Sequence, residues 1–283
     1  DVSRLGIHSL NGIEYFSALE ELDCSRNNIY TLDLSQNPQL KILNCSYNQL
    51  TELSLENQAE LTSFNANYNR LTSLDISGKE KLRALSVEYN YIEQLDITGN
   101  ISLEWLNIRT NLLTSLNVSS NTKLKVIEAF DNRLTAIDVS KLSDLEYLDV
   151  SSNRLTLLDL SQNKSFAASG SGFSAGNNLL DKIILPVQSK LYITPDVYAE
   201  QDPVMGYDRV LWYLDEDLTV EVNETMEAQG QTLYAKRIPN DYTVYFSANG
   251  GNGAMQPQQA VYGEDFALSQ SAFKRTGYIF SGW

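Results

Sequence analysis

Trp105, Arg109, Glu128, Phe130 and Tyr147 are the residues of this sequence best suited to gripping another molecule. Aromatic rings and guanidinium groups dominate interface hot spots, because they bury much area while freezing few rotatable bonds. Tyr47, Tyr68 and Tyr89, each 21 residues from the next, form a second and narrower candidate. Carboxylates offer the other chemistry. Asp33, Asp75, Asp96, Asp138 and Asp159 share a position in D-[LIV]-[ST], where stacked carboxylates could collect the oxygens that Ca²⁺ demands. The same Asp can instead accept from backbone or hydroxyl groups of its own turn, and that reading is preferred to a metal. His8 is the only histidine. With no Ser/His/Asp arrangement, no Cys/His metal spacing and no phosphate loop leading into a helix, neither a catalytic residue, a metal nor a cofactor is expected. Asn249-Gly250-Gly251-Asn252-Gly253 reads as a hairpin turn. The chain is accordingly read as a non-enzyme.

What positions these side chains is a repeat. An asparagine recurs at Asn27, Asn48, Asn69, Asn90, Asn111, Asn132 and Asn153, always 21 apart, and the apolar positions keep the same step. Leu19, Leu40, Leu61, Leu82, Leu103, Leu124 and Leu145 open the units. Leu22, Leu43, Phe64, Leu85, Leu106, Ile127 and Leu148 follow three later, then Cys24, Cys45, Ala66, Val87, Ile108, Ala129 and Val150. The unit L-x-x-L-x-[CAVI]-x-x-N-x-[LI] resembles the leucine-rich repeat, and its period falls within that architecture's range. Alternation around the second Leu predicts a short strand with one buried face, and the Asn amide can pair backbone groups where the strand ends. A single unit cannot bury its own apolar face, but parallel stacking about 4.8 Å apart lets neighbours share a core. A second run, T-x-L-D-L-S, is expected to be an extended back wall, since 21 residues leave little room for a helix. Cys24 and Cys45 stack as inward-facing small hydrophobes and are expected to stay reduced.

Alternate strand residues then line the concave face. Its early rows are small and polar. The rows of Trp105, Asn107 and Arg109, of Val126, Glu128 and Phe130, and of Tyr147, Asp149 and Ser151 gather the large side chains. Glu88 and Glu128, two repeats or about 10 Å apart, sit at or beyond the upper separation for paired catalytic carboxylates.

Around the repeats of 19–163, residues 1–18 read as an entry cap. Ile7, Leu10 and Ile13 continue the inward rhythm there, and Tyr15 and Phe16 are expected to cover the open end of the core. Residues 164–178 are rich in small side chains and read as the exit or a linker. Residues 179–240 form an irregular β module and 241–283 a second one. Gly206-Tyr207 precedes Trp212 as Gly277-Tyr278 precedes Trp283, an offset of 71. T-V-Y-F-S-A-N-G-G-N-G-A-M through R-T-G-Y-I-F-S-G-W resembles the Listeria–Bacteroides repeat. Y-L-D-E-D-L-T with T-L-Y-A-K-R is similar to the second half of the same module, so 179–240 reads as a degenerate copy. The later copy reaches Trp283 before its own T-L-Y-A-K segment, so an exposed edge is expected there.

Together these features resemble the internalin family of bacterial surface proteins, particularly its branch with a cysteine ladder. The expected fold is a leucine-rich-repeat solenoid, a curved parallel sheet of seven 21-residue units with little helix, followed by small mainly-β modules. The resemblance implies a protein displayed outside a bacterial cell that binds a protein or glycan, such as one on a host cell, through its concave face, with tail modules as spacers. A spacer or stalk without a ligand of its own is the alternative. The net charge of −15 disfavours nucleic acid and anionic lipid, which demand a cationic face. No apolar run is long enough to span a membrane, and the export signal and anchor are expected to lie outside this segment.

Overall fold

The computed structural model describes residues 1–166, 172–193 and 207–282, and within them the backbone alone of 188–193 and 207–209. Gly206 and Trp283, two anchors of the 71-residue offset, lie outside the described residues, as do residues 167–171 of the exit segment.

Each repeat contributes one three-residue strand: β1 (Glu21–Asp23), β2 (Ile42–Asn44), β3 (Ser63–Asn65), β4 (Ala84–Ser86), β5 (Trp105–Asn107), β6 (Val126–Glu128) and β7 (Tyr147–Asp149). They pair in parallel without a register shift, so every residue meets its equivalent 21 positions on. The middle residue of each strand is buried and the Cys24/Val150 column is sealed completely. Cys24 and Cys45 are free thiols, and burial pushes that of Cys24 up to about 12. So protonated, they are poor nucleophiles.

The asparagine column ends each strand as its chemistry requires. Asn90 donates from Nδ2 to the carbonyls of Val87 and Ala66, both at 3.0 Å, and its Oδ1 accepts from the Leu71 amide at 3.0 Å. The amide thus ties its own turn to the preceding one. The residue before each asparagine is left-handed: φ is 56° at Arg26, 55° at Tyr47, 54° at Tyr68, 52° at Tyr89, 49° at Thr110, 56° at Asp131 and 52° at Ser152. That conformation is unfavourable for side chains other than Gly, Asn or Asp, and the asparagine hydrogen bonds hold it.

The back wall is extended rather than stranded, except at β8 (Leu157–Asp159). Asp33, Asp75, Asp96, Asp138 and Asp159 each accept from the amide two residues on at 2.9 Å, closing their own turns. These hydrogen bonds hold the carboxyls of Asp33, Asp75, Asp96 and Asp138 below the usual range. A second amide column runs beneath them. Asn37, Gln58, Asn100, Asn121 and Asn163 are buried and donate to carbonyls of the preceding turn, as Asn121 does to Ile97 and Asn100. Gln58, Lys79 and Leu142 interrupt the asparagines, which hides this column in the sequence.

Both ends extend the stack. In the cap, Val2 and Arg4 donate backbone hydrogen bonds to Asp23 and Ser25, and Asn27 Oδ1 accepts from Leu5 and Ile7. Ile7, Leu10 and Ile13 pack against the core as the rhythm predicts. Tyr15 and Phe16 do not cover its open end: they are 84% and 61% exposed, because the 3₁₀ turn Ile13–Tyr15 turns Ile13 inward and sends the rings out.

At the other end the segment read as an exit or linker contains a further strand, β9 (Phe173–Ser174), paired in parallel with β7 to complete an eight-stranded sheet. Asn178 takes the column role 25 residues after Asn153, accepting from Leu155 and donating to Val150 and Ala175. Gly172 lets the chain pass over Phe166, whose Cβ would lie 2.4 Å from any added methyl.

The first tail module is joined to the solenoid through a sheet. Next come β10 (Lys182–Ile184), β11 (Val187–Ile193), β12 (Tyr207–Tyr213), β13 (Met226–Gln229) and β14 (Thr232–Pro239). β10 pairs in parallel with β8 of the back wall, giving the order β12-β14-β10-β8, and Leu158, Ile183, Trp212 and Leu233 share one buried core with the repeats. In the second module β15 (Asp241–Val244) and β16 (Gln258–Val261) form an antiparallel pair, and Tyr245, Tyr278 and Ile279 are exposed, Ile279 at 96%.

Candidate functional site

The sheet register brings the five concave candidates onto β5, β6, β7 and the residues that follow them. Trp105 pairs with Val126, and Val126 with Tyr147, so the two rings stand two strands apart, about 10 Å. No ring contact joins them among the described residues. The tighter association is around Arg109. Its guanidinium lies 3.6 Å from Glu128, 3.7 Å from Asp149 and 5.3 Å from the centre of the Phe130 ring.

The backbone around this group is locally fixed. Asn107 Oδ1 accepts from the Arg109 amide at 3.1 Å, while its Nδ2 donates to Glu88 at 3.1 Å. Asp149 accepts from the amide of Ser151 and from its hydroxyl. This Asx turn recurs at Asp23 and Asn44, so the third strand position shapes the turn as well as facing the ligand side. Asp149 was only a row member in the sequence, yet it is buried and completes the charge cluster.

Burial raises the carboxyl of Glu128 above its usual range; Arg109 opposes that rise, while Glu88 and Asp149 add to it. The Tyr147 phenol is raised too, first by burial, then by Asp149 and Glu128. A buried and a partly buried carboxylate therefore share one cation.

The tyrosine candidates form a stack of their own. Tyr47 and Tyr68 lie 4.3 Å apart at 8°, Tyr68 and Tyr89 4.4 Å apart at 17°, and Arg26 sits 4.2 Å above Tyr47. Ring faces are thus turned on one another, leaving edges and hydroxyls for a ligand. Glu88 and Glu128 are separated by the strand of Asn107 and Arg109. Open grooves run elsewhere, one along the back wall past Asp33, Glu52 and Asp75 and one on the rim between Arg133 and Arg154. Among the described residues no cluster of three metal-ligating side chains occurs, and no helix is long and apolar enough to cross a membrane.

Comparison with known proteins places this geometry in a wider setting. Residues 242–283 match the Listeria-Bacteroides repeat domain. No curated protein matches the chain. Among solved structures, an internalin (inlF) from Listeria monocytogenes is similar at 21% identity and a TM-score of 0.54, over 57% of this chain and 50% of that one. A leucine-rich-repeat protein of Leptospira interrogans is similar at 23% identity and a TM-score of 0.54, over 66% of this chain and 56% of that one. The functional domain of InlJ from Listeria monocytogenes, described as including a cysteine ladder, shares 30% identity over 62% of this chain and 48% of that one, at a TM-score of 0.38. This chain spans about half the length of both Listeria structures. The fold is a leucine-rich-repeat solenoid with small β-sheets at its C-terminal end, and its structural neighbours include Listeria internalins.

Proposed function

We propose that the protein is a non-enzymatic recognition or adhesion module of a bacterial cell surface, binding a protein or glycan through the concave face over β5, β6 and β7. The clustering of Trp105, Arg109, Glu128, Phe130 and Tyr147 on one rigid sheet carries this reading. All five are partly exposed and stand on backbone fixed by parallel pairing, so little entropy is lost when a ligand orders them. The internalin-like fold and the tail repeat support display outside the cell. The Tyr47, Tyr68 and Tyr89 rim is the secondary site.

A spacer role without a ligand is the second reading, favoured by the sheet that fuses the solenoid to its first tail module. The two separate by binding to a glycan array and to host-cell surface protein, comparing the wild type with a Trp105→Ala, Phe130→Ala, Tyr147→Ala variant whose folding is checked by circular dichroism. Binding lost only in the folded variant supports recognition at this face. Equal binding places the site elsewhere, with the Tyr47, Tyr68 and Tyr89 rim next to be tested. No binding by either on a broad panel favours the spacer.

A further inference from the structure

Just before the strands, charge along the stack is arranged in opposite pairs from one turn to the next. Glu20 meets Lys41 at 2.8 Å, Glu60 meets Lys81 at 2.6 Å, Arg83 meets Glu104 at 2.7 Å and Lys125 meets Glu146 at 4.0 Å. The concave face breaks this pattern. Its strand rows hold Glu21, Asp23, Glu88, Glu128 and Asp149 against a single cation, Arg109. Glu128 and Asp149 are in-register neighbours, an arrangement that costs stability because like charges face each other directly. Arg109 relieves it only in part: one guanidinium is shared between two carboxylates, at 3.6 and 3.7 Å.

We propose that the occupant of this face is a cationic, extended segment of a protein partner that presents Lys or Arg side chains to Glu128 and Asp149, with the rings of Trp105 and Tyr147 flanking them. The inference rests on the reading of the concave face as a binding surface and names the partner's chemistry. A cation gains twice there, from carboxylates that lack full compensation and from aromatic faces that attract positive charge. The extent of the charge points to a chain rather than a single sugar. Carboxylates occur from β1 to β7, about 29 Å by strand spacing and the length of about nine extended residues.

The test is titration of the full chain with an octalysine peptide, a Gly-Ser octapeptide, an octaglutamate peptide and a chitosan oligosaccharide at low and at 0.5 M salt. Octalysine is expected to bind, to weaken with salt, and to lose at least tenfold in a Glu128→Gln, Asp149→Asn variant. Asn is chosen because Asn44 and Asn107 make the same turn as Asp149. A Glu56→Gln, Glu93→Gln variant, with the same change in net charge away from the concave face, is expected to lose less than twofold. Toward a cationic ligand Arg109 acts as the resident counter-ion of Glu128 and Asp149 rather than as a contact, so Arg109→Gln is expected to bind octalysine severalfold tighter. Equal losses in both double variants, or no gain in Arg109→Gln, would overturn the proposal, as would preference for octaglutamate or for chitosan. If octalysine fails while a panel ligand still depends on Trp105, Phe130 and Tyr147, the cationic partner is wrong and the concave site stands.

Discussion

Glu128 and Asp149 are direct in-register neighbours on β6 and β7, and the Arg109 guanidinium reaches both. An array that pairs opposite charges just before its strands holds a buried and a partly buried carboxylate side by side here. Stability alone gives no reason for that choice.

The energetic sign at Glu128 can be checked without a ligand. Its carboxyl titrates above the ordinary value, chiefly through burial, so ionising it costs stability at neutral pH and the penalty disappears as pH falls through the folded pKa. Glu128→Gln is therefore expected to leave the urea midpoint at pH 7 unchanged or higher, and the difference should close under acid conditions. A clear loss of stability at pH 7 would show that the ion pair with Arg109 outweighs the burial.

The asparagine column should be costly to interrupt. Asn90→Ala leaves the buried Leu71 amide without its acceptor, while the Ala66 and Val87 carbonyls each lose one donor and keep another, from Asn69 and Asn111. An unsatisfied buried group costs roughly 1–3 kcal/mol, so a loss in that range is expected by chemical denaturation.

Tyr68 combines an unfavourable backbone with favourable stacking. Tyr68→Asn suits the left-handed conformation better but gives up both ring contacts. These terms are each about 1 kcal/mol, and the stability change should be no larger. If that variant nevertheless abolished ligand binding, the rim rather than β5, β6 and β7 would be the site.

Acid sensitivity should reside partly in the back wall. Asp33, Asp75, Asp96 and Asp138 are held below their ordinary value by hydrogen bonds in their turns. Their contribution is present above the unfolded-state value of 3.8 and is lost as pH falls through the lower folded values. Asn117 makes the same turn at the same position, accepting from Ser119 at 3.1 Å. Replacing the four aspartates by Asn should preserve the fold at pH 7 and flatten the loss of stability below pH 4, followed by circular dichroism.

The period was legible because each function in the turn has its own residue type. Asn27 and its equivalents end strands, Leu22 and its equivalents fill the core, and Asp33 and its equivalents close back-wall turns. The second amide column escaped because Gln58, Lys79 and Leu142 replace its asparagines. Strand β9 escaped because the step from Asn153 to Asn178 is 25 rather than 21, although the pair Asn177-Asn178 retained a signal. Pairing of β8 with β10 follows the same 25-residue step, Leu158 meeting Ile183, and escaped for the same reason. At the concave face, alternation identified the exposed rows. It could not show that Arg109 binds inward to Glu128, Asp149 and Phe130, leaving Trp105 and Tyr147 as separate rings.

Hydroxyl-radical footprinting of a complex with a ligand from the binding panel tests the central claim most directly, since it reads aromatic side chains one by one. Oxidation of Trp105 and Tyr147 should slow on ligand addition, with Phe130 following, while the distant and exposed Tyr15 and Tyr91 keep their rates. Protection confined to Tyr47, Tyr68 and Tyr89, or found in the tail module with the concave rings unchanged, would contradict the account.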